Sequence, residues 1–218
     1  MAPLKLADMK TGDVLLLKDA TSAFSHMAIA LGQALLSHRV AATSRITHAG
    51  IYDETGTAIL EASGAKGLRA MDITKKQSGF TFQVYRCVDL QAVRWNVPPI
   101  AVMWARDFIE RKESGSHGSF GNYSCPPKAL LCRANRGKGA VAAVEKLRAD
   151  PYAERTFYCS NFVVECYELA CMTQDCDPVF SVDFRKITPK TLQSTMRRKR
   201  LGGDGGKWSY MGDFIVAG

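Results

Sequence analysis

A mixed fold of β-strands and amphipathic α-helices is what the sequence predicts, on three observations. Residues 46–62 read as strand, turn, strand; Phe80 to Val88 alternates apolar and polar side chains; and apolar positions recur at helical spacing after Pro98 and again after Cys159. The chain has 218 residues, 46% of them apolar and 23% charged. These proportions suit a single domain spanning 1–218 with a sizeable core of its own.

The elements follow in order. Gly12-Asp13 turns into the apolar run Val14 to Leu17, a buried strand. Thr21 or Ser22 caps a helix over 22–37, with Phe24, Met27, Ala28, Leu31, Ala34 and Leu35 as its stripe. The strands Ile46 to Tyr52 and Thr57 to Ala62 flank Asp53-Glu54-Thr55-Gly56, a hairpin signature. Phe80, Phe82, Val84 and Arg86 share one face of the next strand. Pro98-Pro99 opens a helix through Arg111, with Ile100, Val102, Met103, Ala105, Phe108 and Ile109 in its stripe. Gly115 to Pro127 reads as a long polar loop of functional character. Helices are expected from Lys138 to Arg148 and from Cys159 or Ser160 to Met172; Thr191 to Met196 is a short last helix, and Trp208 to Val216 closes a sheet.

Charge and cysteine usage narrow the functional classes. Lys and Arg number 29 against 21 acidic residues, a net charge of +8, which favours anionic partners such as wall polymer or anionic lipid. Arg197 to Arg200 contributes a local basic run. No basic motif interleaved with aromatics is present, so nucleic acid is not an expected partner. Seven cysteines cannot pair completely and lack the CxxC spacing of structural zinc sites, so neither a disulfide framework nor a metal is expected, and no cofactor is implied. No stretch has the pattern of a signal peptide or a transmembrane helix, which implies a cytoplasmic protein at synthesis.

The hairpin carries the first chemical inference. Opposed residues of an antiparallel pair have a constant number sum, and a turn centred on Glu54-Thr55 makes it 109, placing His48 opposite Glu61. A carboxylate so placed fixes an imidazole's tautomer and stabilises its cation. The plain alternative is a surface cross-strand pair without function. Ile46, Gly50 and Tyr52 share the His48 face by alternation, so Tyr52 reads as a substrate wall or a cross-strand packing residue.

A third residue completes a set. In Phe157-Tyr158-Cys159-Ser160-Asn161-Phe162 a cysteine stands where an aromatic segment turns into an apolar helix, and a helix N-terminus favours thiolate. Cys159 is then the nucleophile, His48 the base and Glu61 the orienting group, with N–H groups near Cys159 and Ser160 available to an oxyanion. Cys166 and Cys171, inside the same helix, read as small apolar packers. His26 and His38 read as packing residues, and His117 is not expected to be catalytic.

The order GDVLLL, ITHAGIY, AILEA with a following GL, YCSNFVVECYE and ITPKTL resembles the circularly permuted branch of the NlpC superfamily of papain-like hydrolases, the YiiX-like or YaeF-like group, over roughly residues 12 to 195. The resemblance implies an α+β fold, a small antiparallel sheet or half-barrel packed on the nucleophile's helix, with the histidine strand preceding the cysteine. It implies Cys159, His48 and Glu61 as the catalytic set. The family's YCSELV stands here as YCSNFV, and Gly121 with Tyr123 corresponds to a family Gly–Tyr element that places Tyr123 beside substrate. Residues 115–138 otherwise match poorly, which puts substrate choice there. The implied activity is cleavage of an amide bond, in peptidoglycan stem peptides first of all; certain antibacterial effectors are similar, which would imply export by a dedicated secretion machine and an immunity protein as partner, and a housekeeping cytosolic enzyme suits the same features equally. Two alternatives stand beside it: a lipid acyl ester or thioester hydrolase or acyltransferase, and an inactive binding module.

Overall fold

The computed structural model describes residues 2–18, 46–64, 66–75, 80–115, 121, 124, 138–153, 155–180, 182–197 and 206–216. Among them six strands, β1 (Val14–Lys18), β2 (Ile46–Asp53), β3 (Ala58–Ser63), β4 (Gly67–Asp72), β5 (Thr81–Cys87) and β6 (Trp208–Ile215), form one sheet in the order β4-β3-β2-β1-β5-β6. Every neighbouring pair is antiparallel. The helices are α1 (Leu90–Arg94), α2 (Val97–Glu113), α3 (Lys138–Ala149), α4 (Cys159–Thr173) and α5 (Pro189–Arg197). Five strands ahead of the helices, one after them and an antiparallel sheet make the architecture α+β.

The sheet separates two apolar clusters. Val14, Leu16, Ala49, Ile51 and Leu60 pack with α2 and α4, whereas Leu15, Leu17, Tyr52, Ile59, Phe82 and Val84 pack on the other face with Met9 and Phe214. The continuous apolar run Val14 to Leu17 follows from this sandwiching: β1 is central and covered on both sides, and each buried Leu contributes roughly 1.5–3 kcal/mol. Helix α4 is apolar almost all round, and every residue from Cys159 to Cys171 is buried. Such a helix belongs in the interior, where it packs against α2, β2 and β3.

Three features differ from the sequence reading. β4 and the short helix α1 were not foreseen; β4 is an edge strand whose residues after Leu68 are partly or fully exposed, so its apolar alternation is weak. In α2, Met103 is 65% exposed, because Ala101, Val102, Ala105, Phe108 and Ile109 already fill the inward stripe. Ile46 does not share the His48 face. Leu17 pairs with His48 and Lys18 with Ile46, which makes Thr47 the extra residue of a β-bulge and returns Ile46 to the cluster of Ala49 and Ile51. The helix expected over 22–37, with His26 and His38, lies outside the described residues, as do His117, Tyr123, Cys125 and Cys132. No helix among the described residues is long and apolar enough to cross a membrane.

Candidate active site

β2 and β3 bring His48 and Glu61 together, though not in the register expected. The observed pairs Ile51–Leu60, Tyr52–Ile59 and Asp53–Ala58 share the sum 111. Continued along the strands, that sum sets Gly50 opposite Glu61 and makes His48 and Glu61 diagonal neighbours on one face. The turn is the reason. Asp53 Oδ1 accepts from the Thr55 backbone N–H and hydroxyl at 3.1 and 2.8 Å, and Thr57 takes a left-handed φ of 48°. The loop is therefore four residues, Glu54 to Thr57, and its centre lies one position later than Glu54-Thr55.

A diagonal pair still bonds when its side chains reach, and here they do. His48 Nε2 lies 2.9 Å from Glu61 Oε2. Glu61 is fully buried, and its other oxygen, Oε1, accepts from Arg69 Nε at 2.9 Å and Nη2 at 2.6 Å. Arg69 stands opposite Glu61 in the β3–β4 pair. Two guanidinium donors on one carboxylate oxygen form a strong charge-assisted contact. Glu61 is thus held between a cation on one side and an imidazole on the other.

Cys159 is the first residue of α4, following Tyr158 in an extended conformation (φ −127°). It is 2% exposed and lies close enough to the His48 imidazole to favour its protonated form. With Nε2 occupied by Glu61, Nδ1 is the nitrogen left for Sγ. Burial by itself lowers the basicity of His48, but attraction to Glu61 and to the Cys159 sulfur, with the hydrogen bond to Glu61, overrides it and raises the pKa from 6.5 to about 10. The imidazole is therefore protonated at neutral pH, the state that stabilises a neighbouring thiolate and can deliver a proton.

The N-terminal turn of α4 is braced by side chains. Asn161 Oδ1 accepts from the Tyr158 backbone N–H at 2.6 Å, the Tyr158 hydroxyl donates to the Phe184 carbonyl at 3.0 Å, and the Ser160 hydroxyl donates to the Ile187 carbonyl at 2.5 Å. The first N–H groups of a helix have no intrahelical acceptor, so this turn supplies donors beside Sγ.

The residues expected at the site divide accordingly. Cys159, His48 and Glu61 converge. The Ser160 side chain is fully buried and committed to Ile187, which leaves only its backbone for an oxyanion. Tyr52 is 2% exposed within the second apolar cluster, four residues along β2 from His48. Tyr123 lies outside the described residues. Burial pushes the Cys166 thiol up and sets it among core residues, the packing role expected for it. Arg69 was missed: the signal was a strand after Ser63 whose turn would set it opposite Glu61. Among the described residues no cluster of three His, Cys, Asp or Glu side chains could hold a metal ion.

No family model, curated protein or solved structure matches the chain.

Proposed function

We propose that the protein is a thiol hydrolase that cleaves an amide bond, with peptidoglycan stem peptides as substrate. One observation carries the reading: the cysteine that opens α4 lies beside an imidazole whose Nε2 meets a buried, Arg-clamped carboxylate. A thiolate, a protonated imidazole and an orienting carboxylate are the parts that nucleophilic acyl transfer requires.

The chemistry follows from those positions. Cys159 thiolate adds to the carbonyl carbon, forming an S–C bond, and the oxygen takes the negative charge beside the N–H groups of the first turn of α4. Collapse breaks the C–N bond as His48 delivers its proton to the departing amine. Water then attacks the thioester; His48 accepts a proton from it, the acid product leaves, and the thiolate–imidazolium pair is restored. Glu61 keeps Nε2–H engaged throughout, so that Nδ1 stays aimed at the sulfur. The net charge of +8 suits an anionic polymer, and entry to the wall compartment would use a dedicated export machine.

Mass spectrometry of muropeptides digested with wild type and with Cys159→Ala tests this. New peptide termini should appear with wild type alone. Equal digestion by both, or none by either, would overturn the wall-peptide reading. Cleavage of acyl esters in lipid extracts by wild type alone would instead move the substrate to the lipid class while keeping the nucleophile.

A further inference from the structure

Behind the nucleophile a second buried polar chain runs into α4. Asn161 and Glu165 lie one helical turn apart on the same face, and both are buried, at 5% and 1% exposure. Asn161 Nδ2 donates to Glu165 Oε1 at 2.8 Å, while Asn161 Oδ1 accepts from the Tyr158 backbone N–H. Glu165 Oε2 faces Arg155 Nε at 3.1 Å. The Arg155 guanidinium also donates to the Pro151 carbonyl at 2.7 Å and lies over the rings of Phe108 and Phe157. A backbone N–H that only donates and a carboxylate that only accepts leave the Asn161 amide one orientation between them.

This chain ends on the residue immediately before Cys159. We propose that Asn161, Glu165 and Arg155 are positioning residues that hold the N-terminal turn of α4, and with it the Cys159 sulfur, in register with His48; the assignment rests on the nucleophile reading above. Their side chains reach the residue that caps the nucleophile's turn. Their action is on the geometry of the sulfur and of the N–H groups beside it.

The chain has a built-in pH response. Burial pushes the Glu165 carboxyl up to about 7, against Arg155 and Asn161, which favour its charged form. A cavity of about 320 Å³ lies against Glu165 and gives protons a route. The other charged groups on its wall are Lys146 of α3, Asp150 just beyond it and Arg185 after α4; α2 presents the uncharged Phe108 ring beneath Arg155. Protonation removes the ion pair with Arg155 and turns the charge-assisted bond from Asn161 into a weaker one to a neutral carboxyl. The turn is therefore held above pH 7 and loosened below it. His48, titrating near 10, stays protonated across this range and does not produce the same step.

Alkylation of Cys159 by iodoacetamide in the full-length protein, read by peptide mass mapping between about pH 5 and pH 9, tests the assignment. In wild type the rate should rise ~5-fold through pH 7, and Glu165→Gln should remove that step while leaving later titrations in place. Asn161→Ala should react ~5-fold more slowly above the step, the equivalent of a lost helix cap. A wild-type profile flat across pH 7, a step that survives in Glu165→Gln, or an Asn161→Ala rate equal to wild type overturns the positioning chain. Should Glu165→Gln fail to fold, the wild-type profile and Asn161→Ala decide. Failure of the nucleophile reading looks different: Cys159 would then react no faster than an ordinary thiol, and His48→Ala would leave its rate unchanged, overturning both assignments.

Discussion

Gly50 faces Glu61 across the β2–β3 pair, and its missing side chain leaves the two strands close beside the Glu61 Cβ. A Cβ built at Gly50 would lie 2.4 Å from Ile59 Cγ2, 3.0 Å from the Leu60 carbonyl oxygen and 3.5 Å from Glu61 Cβ. Ile59 is buried and branched, and the Leu60 oxygen is backbone, so neither yields easily. Gly50→Ala is expected to destabilise by about 1–3 kcal/mol through overpacking and to slow alkylation of Cys159. Thermal melts with the alkylation rate check it; a melt unchanged from wild type would show that the strands part without cost.

Arg69 gives a prediction that the sequence alone did not. Arg69→Ala leaves the fully buried Glu61 with His48 as its one remaining side-chain contact named above. Because the Arg69 side chain is 25% exposed, water replaces part of the lost interaction, and the expected loss is about 2–3 kcal/mol rather than the full cost of an orphaned buried charge. Urea unfolding measures it. A loss below about 0.5 kcal/mol would place the pair in the class of ordinary surface salt bridges.

The ionisation of His48 links stability to pH. Its folded value of about 10 lies above the ordinary 6.5, so the stability it contributes is complete below pH 6.5 and is lost as pH rises through about 10. Unfolding free energies of wild type and His48→Gln should therefore converge over that window. In Cys159→Ala one of the two groups that raise the value is gone, and the NMR titration midpoint of the ring should fall. A midpoint unchanged in that variant would mean that Glu61 alone sets it.

Ser160→Ala separates structure from chemistry at the neighbouring position. Its hydroxyl meets the Ile187 carbonyl in the interior, so the substitution should cost about 1–2 kcal/mol in a denaturant melt by leaving that carbonyl without its donor. A variant as stable as wild type would detach the residue from the bracing of α4.

The convergence of Cys159, His48 and Glu61 was legible because each signal is local: strand alternation around His48, a turn before Glu61, and a cysteine where an apolar helix begins. The register was not, because the Asx turn of Asp53 and the left-handed Thr57 shift the four-residue loop by one position, which composition does not reveal. The bulge at Thr47 depends on the partner strand β1 and leaves no mark in β2 itself. Arg69 escaped notice because β4 pairs on one side alone and half shows its side chains to water, which blurs the alternation that marked the central strands. The Asn161–Glu165 link was visible as an i, i+4 spacing, yet nothing in the sequence says which face of α4 meets Arg155.

The imidazole and its carboxylate come from one hairpin, whereas the sulfur joins them from far along the chain. Neighbours in sequence find one another early and distant segments late, so imidazole and carboxylate can pair before the sulfur reaches them. The three side chains come together only when α4 docks on the sheet, so the site and the fold are completed in the same event.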